Sequence, residues 1–463
     1  MLIILATPVP VQSGKPPCPQ GGGSLDSILN FILPAVGACP HTLTLWAKSY
    51  GGNTNDILQS AVPTSDGGVI AAGYNQPRPS TGHQFFVLRL DANGNIIWQR
   101  TYGGGATSDD FAHSVRQTLD GGFIVAGHSF VPGSTPGNTD FWVLRLDANG
   151  GVIWQKKYGG AGGDHNAQVD VTPDGGFFVA GVTASFGAGP NGDFWVLRLD
   201  ATGNIIWQKT YGGSGTEYAY SMKSTSDGGA VVAGYTNSFG GGGAYIWVLR
   251  LDANGNVVWQ KTYGGSGDEV AYSVELTPDG FVVAGWTGVS ATVSYVEVLR
   301  LNANGNVLWQ KSYGSGAEYA ESVQSTVDGG FIVAGVTASF GAGGDDMWAL
   351  RLDGNGNVVW QKTYGGTNAD RAYSVRVTSN GGFMLAGTTG SFGSGGHDFW
   401  VLQLDANGSL ASGCSLGTTS TTVVADSALL TSDSLAIFTG SSATVTVTAV
   451  TGVNSSAKAT VQC

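Results

Sequence analysis

The sequence is poor in charge. Asp, Glu, Lys and Arg make up 12% of its 463 residues, and 33 acidic residues against 21 basic ones leave a formal net charge of −12. Phosphate backbones are held by a surplus of Lys and Arg, so this balance excludes nucleic acid as a partner and argues against an anionic membrane surface. Long apolar runs are missing too, and nothing approaches the roughly twenty residues that span a bilayer. The opening MLIILATPVPVQSG has a short apolar burst with no basic stretch before it, a poor export signal as it stands. The expectation is that a signal lies upstream of Met1 or that this segment has another job.

Cysteine is scarce and oddly placed. Cys18 and Cys39 precede the repetitive part of the chain, and Cys414 and Cys463 follow it. Without a CxxC or a Cys/His cluster there is no metal motif, and an even count confined to the two tails reads as disulfides made in an oxidising compartment. Cys18–Cys39 with Cys414–Cys463 is the first choice of pairing, and Cys39–Cys414 is an alternative.

What the chain has in abundance is glycine, 75 residues, among 42% hydrophobic residues. That is enough apolar material for a large core, with glycine marking turns. The tryptophan of WQKTYGG recurs at Trp46, Trp98, Trp154, Trp207, Trp259, Trp309 and Trp360, at intervals of 52, 56, 53, 52, 50 and 51 residues. A period near fifty with strand-like content means a propeller or an array of small β units. Each unit holds four strand candidates: an AYSV-like strand, FIVAG, FWVLRLD and NIIWQKTY. Asp-Gly turns at Asp66, Asp120, Asp174, Asp227, Asp279 and Asp328, with Asn380 in the last unit, join the first pair. Asp-Ala-Asn-Gly-Asn turns join the second pair and run straight into apolar strand, so they read as turns and not as calcium loops.

The chain begins with a tryptophan strand and ends with an LQLD strand. Seven blades therefore close only if the N-terminal strand Thr42–Tyr50 pairs with Val401–Leu404. The expectation is an all-β, seven-bladed propeller over residues 41–407, with a disulfide-bearing arm at 1–40 and a Thr/Ser/Val-rich β tail at 408–463. Ser24–Val36 in the arm reads as a short helix or a strand. In the tail, Thr421–Ala425, Ala443–Val450 and Ala457–Cys463 are strand candidates, and their few charges leave edges open to another chain.

LDANGNxxWQK resembles the third-to-fourth-strand hairpin of quinoprotein-type propellers, and Asp91, Asn93, Gly94 and Trp98 resemble the Asp-box of sialidase-type propellers at shifted spacing. The whole unit, over residues 42–405, most resembles the tandem WQKTYGG repeats of predicted secreted bacterial and archaeal β-propellers. That resemblance implies a propeller fold, a prokaryotic source and an extracellular or cell-surface location, with no implied activity or cofactor.

One carboxylate position recurs in all seven units: Asp56, Asp110, Asp164, Glu217, Glu269, Glu318 and Asp370. These side chains are expected either to ring the channel mouth as an axial site or to pair with their blade's basic residue, the second being favoured because buried charge must be paired. The basic candidates are Lys48, Arg100, Lys156, Lys209, Lys261, Lys311 and Lys362, with a second series from Arg89 to Arg351 that Gln403 breaks. Uniform blades present the same groups seven times, whereas an active site needs different groups around one atom. Function is therefore expected where the repeat breaks, above all in blade five, where Glu297 stands in an aromatic position and Trp286 is gained. Loop aromatics Phe186, Phe239, Phe340 and Phe392 are candidate ligand contacts. His83 and His397 match in neighbouring blades but lack a third ligand, so no metal and no cofactor is expected. The favoured expectation is a non-enzymatic structural, assembly or adhesion subunit that joins copies of itself or another surface protein by strand addition. A glycan-binding, lectin-like propeller and a hydrolase or lyase at blade five are the rivals.

Overall fold

Hairpins form where Asp-Gly and Asn-Gly supply the backbone for a tight reversal, and those hairpins set the architecture. In the computed structural model, 28 strands between Trp46 and Leu404 make seven antiparallel four-stranded blades. The structure describes residues 45–410 apart from short segments within the loops at 77–81, 104–107, 131–137, 188–190, 241–242, 266 and 291–292, and seven short strands between 417 and 461. The N-terminal arm and the four cysteines lie outside the described residues.

Blade one is typical. Its strands, from the axis outward, are Asp56–Pro63, Val69–Asn75, Gln84–Leu90 and Ile96–Tyr102. Blade seven takes its three inner strands from Asp370–Val377, Phe383–Thr389 and Asp398–Leu404 and its fourth from the other end of the chain, Trp46–Gly51. Lys48 lies opposite Val401 and Tyr50 opposite Phe399, so the N-terminal strand closes the ring as expected. The two middle strands of each blade are buried on both faces, as sheets stacked face to face require. Core clusters accordingly form between neighbouring blades: Phe85, Val87 and Tyr102 of blade one pack with Trp142 and Leu144 of blade two.

The WQKTY segment latches each blade to the next. Trp207 Nε1 donates to the Ala253 carbonyl (2.9 Å), Lys209 Nζ to Asn256 (3.0 Å) and Tyr211 Oη to the Gly255 carbonyl (2.6 Å), all in the following Asp-Ala-Asn-Gly-Asn turn. Gly255 has a φ of +73°, and a Cβ there would sit 2.7 Å from the Trp207 ring. The turn therefore needs glycine twice, for its backbone angle and for the indole stacked on it. The same latch joins Trp46, Lys48 and Tyr50 to the turn at Ala92–Asn95 and Trp360 and Tyr364 to Ala406 and Gly408. The basic residue of this strand is thus committed to the neighbouring turn and does not pair with the recurring carboxylate.

A second charge pattern is internal to each blade. Arg351, almost fully buried, donates to the Phe331 carbonyl and reaches Asp328 of the Asp-Gly-Gly turn at 2.5 Å. Blades one to six repeat this pair. Blade seven has lost both partners together, with Asn380 in the turn and Gln403 on the strand.

The tail wraps the ring. Its strands Gly417–Thr419, Val423–Asp426, Leu430–Asp433, Ile437–Gly440, Thr444–Val447, Val453–Asn454 and Lys458–Val461 add a fifth, outermost strand to blades six, five, four, three, two, one and seven in that order. The basic residue of each latch strand faces a tail residue seven positions from the last: Lys362 faces Thr419, Lys311 Asp426, Lys261 Asp433, Lys209 Gly440, Lys156 Val447, Arg100 Asn454 and Lys48 Val461. Ser420, Ser427, Ser434, Ser441 and Ser455, with Thr448, mark the same seven-residue period in the sequence. The edge pairing that the tail's composition invites takes place within the chain.

Candidate functional site

Each recurring carboxylate opens the innermost strand of its blade and is turned into the junction with the preceding blade. Asp56 accepts from the Gly52 amide (2.8 Å), Asp164 from Gly160 N and Ser185 Oγ, and Glu217 from Gly213 N and Thr236 Oγ1. Glu318 takes three successive amides, Ser315, Gly316 and Ala317, and Asp370 takes Gly366 N and Ser391 Oγ. Asp110 is held by Ser108 and Ser129, and Glu269 by Thr287. The seven side chains are buried, at 3% exposure or less. They cap the crossovers between blades, and the structure does not gather them around one ligand position on the axis.

At four junctions a second carboxylate completes a buried pair. A Cβ on Gly51 would run into both Asp398 Oδ1 and Asp56 Oδ2, and Gly212 and Gly365 have the same relation to Asp193/Glu217 and Asp346/Asp370. At the fourth, Asp140 faces Asp164. The first glycine of Tyr-Gly-Gly is where these carboxyls fit. Burial, with Asp56 beside it, pushes Asp398 up to about 7, and burial pushes Asp56 up to about 6. Asp346 and Asp140 are raised to about 6 in the same way. Two charges side by side in a dry junction are costly, so burial and the neighbouring carboxylate favour the neutral form of Asp398, Asp140 and Asp346.

Chemical variety collects along the axis. A serine recurs on the innermost strands, and its hydroxyl ties neighbouring blades: Val274 N donates to Ser221 (3.0 Å), Val323 N to Ser273 (3.1 Å) and Val375 N to Ser322 (3.2 Å). Next to this tier lie charges of alternating sign, Arg116 with Asp170 (3.4 Å) and Lys223 with Glu275 (2.7 Å). Arg376 also lines the channel and is lowered to about 10 by burial, with Arg116 adding to the effect. On the other side of the serines, Glu321 faces the channel with Tyr220, Tyr272 and Tyr373, and burial pushes its carboxyl up to about 8. His113 and His128 are 2.9 Å apart, and His165 reaches the Tyr218 hydroxyl at 3.2 Å. Burial first, and neighbouring histidines second, lower His113 to about 4 and hold His128 well below its ordinary value, which favours the neutral imidazoles. Their meeting depends on alternation along two paired strands, a signal that was available.

Blade five departs from the repeat as expected. Its two middle strands run on through Gly280–Ser290 and Val293–Asn302 where other blades have seven or eight residues and a glycine-rich loop. Glu297 is fully buried and accepts from Ser312 Oγ at 2.7 Å, which places it inside the blade and away from any surface ligand. The loop phenylalanines are also engaged: Phe186 lies 5.3 Å from Trp195, Phe239 5.4 Å from Trp247, Phe340 5.7 Å from Trp348 and Phe392 5.1 Å from Trp400. They pack on the blade cores as covers. Trp286 differs. It lines an open cavity of about 520 Å³ with Tyr220, Tyr235, Tyr272, Asn237 and Asp268. His83 bonds Asp109 at 2.8 Å, while His397 sits at the junction of blades seven and one, where its carbonyl accepts from the Asp56 amide.

No family model and no curated protein matches the sequence. Solved structures with a similar fold include the WD40 domain of Neurospora crassa Pan2, with a TM-score of 0.43 and 12% identity over 76% of this chain and 89% of that one. A protein of unknown function from Dyadobacter fermentans gives a TM-score of 0.41 and 11% identity over 78% and 95%. The periplasmic gluconolactonase PpgL of Pseudomonas aeruginosa gives 0.42 and 14% identity over 85% and 99%.

Proposed function

We propose that this chain is a non-enzymatic subunit of an extracellular assembly, a tandem WQKTYGG-repeat propeller whose C-terminal belt passes between copies on a prokaryotic cell surface. The observation that supports it is the belt itself. Seven segments of two to four residues are paired with the rim, one to each blade. Backbone ladders of this kind are indifferent to which copy supplies the strand, and exchanging an identical element between protomers is a low-cost route to assembly. The tether 409–416 spans at most about 28 Å, which favours the chain's own rim in dilute solution. Crowding at a surface, or refolding at high concentration, favours a neighbour's rim. A net charge of −12 suits a soluble exterior, and the paired tail cysteines would fix the exchanged ends.

Mixing two differently tagged full-length preparations, unfolding and refolding them together, and recording sedimentation and electron micrographs tests the reading. Mixed oligomers or filaments that disappear when 409–463 is deleted support it. Monomers at every concentration, or oligomers that survive the deletion, sink it.

A further inference from the structure

The cavity between blades four and five lies apart from the belt, which holds the outer rim, and calls for a different explanation. Blades four and five place large aromatics at one shared position of their second strands, Tyr235 and Trp286, each directly after the glycine that faces the neighbouring strand. The innermost strands add Tyr220 and Tyr272, whose rings meet edge to face at 4.7 Å. Tyr235 is itself stacked flat on Tyr218, at 5.5 Å between centroids and 3° between planes. Trp286 shares a hydrogen bond with the Tyr272 hydroxyl, so the edge of the indole is anchored.

Polar groups are set at the margin. Asp268 is exposed, with Oδ1 already accepting from the Ala244 amide at 2.8 Å, which fixes the carboxylate's direction at the margin of the cavity. Asn237 is exposed beside it and also lines the cavity. The volume of about 520 Å³ falls within the roughly 300–1,000 Å³ of small-ligand sites.

We propose that this cavity binds a neutral oligosaccharide. A sugar ring offers an apolar C–H face and a rim of hydroxyls. An anchored indole and flat tyrosines fit the face, while a fixed carboxylate and an amide fit the rim as acceptor and donor. An acidic sugar is disfavoured by Asp268 and by the net charge of the chain. An apolar ligand would meet a carboxylate and an amide at the margin of the cavity, which it cannot match. Around the ring the position of Trp286 is taken by Tyr74, His128, Val182, Val336 and Thr388 in blades one, two, three, six and seven, so tryptophan stands there only in blade five. A site of this kind would let a surface assembly hold glycans, yet it does not depend on the belt.

The experiment is a titration of the full chain with chitotetraose, cellotetraose, mannotetraose and xylotetraose, with tetragalacturonate as the acidic counterpart, read by tryptophan fluorescence and calorimetry. At least one neutral tetrasaccharide should bind, Trp286→Ala should weaken it tenfold or more, and Asp268→Asn should weaken it several-fold. If Trp286→Ala fails to fold, Trp286→Phe and Tyr235→Ala carry the same comparison. No binding by any neutral probe at millimolar concentration, binding of tetragalacturonate alone, or native affinity in the folded variants would overturn the proposal. Deleting 409–463 should leave the affinity unchanged, which separates this site's fate from that of the belt.

Discussion

Asp398 and Asp56 meet across Gly51, one carboxyl from blade seven and the other from blade one, at the seam where the two ends of the propeller chain join. Their folded-state values lie above the ordinary carboxylate range, at about 7 and about 6. The folded protein therefore binds protons there that the unfolded chain releases, and stability falls as pH rises from about 4 through about 7. Thermal midpoints should drop between acid and slightly alkaline pH. Asp398→Asn should raise the midpoint on the alkaline side by a few degrees and change it little near pH 4. An unchanged slope in that variant would mean that the Asp398 carboxyl is not raised in the folded protein.

The latch predicts a size limit at its turn. Gly255→Ala forces a left-handed backbone on alanine and pushes a methyl into the Trp207 ring. A loss of about 2–4 kcal/mol is expected from strain and overpacking together, measured by denaturant unfolding. Tyr211→Phe removes one buried hydrogen bond to the same turn and should cost less, about 1 kcal/mol.

Arg351 and Asp328 test which half of an ion pair matters. The Asp328 side chain is 65% exposed, whereas Arg351 is 8% exposed and also serves the carbonyls of Phe331 and Leu352. Asp328→Asn should cost under about 1 kcal/mol, as exposed partners do. Arg351→Gln should cost more, because it strands two carbonyls. The double variant, which copies blade seven, should lie close to the single Arg351→Gln in a thermodynamic cycle.

Hydrogen exchange reads the belt directly. Deleting 409–463 should speed exchange along the latch strands, such as Ile205–Gly212, and leave the innermost strands, such as Glu217–Ser224, protected. Equal exchange in both forms would mean that the belt does not hold the rim.

The ring was legible in the sequence because its signals are redundant. Seven tryptophans and seven turns each led to seven blades, and the order of first and last strands led to a closure by Thr42–Tyr50, which the structure forms with Trp46–Gly51. The carboxylates follow neither expectation for a local reason: Asp56 and its equivalents open their strands, and there the side chain caps a crossover instead of facing the axis or pairing with the latch lysine. The latch lysines were misassigned because their partners lie in the next blade, some 45 residues on, and no within-blade comparison reveals that. Asn380 and Gln403 were each visible as an irregularity, and only the fold shows that they are one lost pair. Only one belt strand, Thr444–Val447, shows clear alternation, and the period itself is marked by a serine or threonine between strands of two to four residues, too weak a signal to reveal a belt.

The last belt strand, Lys458–Val461, lies on Trp46–Gly51, the strand that closes the ring. The first described strand is thus held between blade seven and the last belt strand, and it is not an edge. Disassembly of this molecule has a direction. The C-terminus must peel before the N-terminal strand can leave, and that strand must leave before blade seven opens. A barrier of this ordered kind sets lifetime more than equilibrium stability.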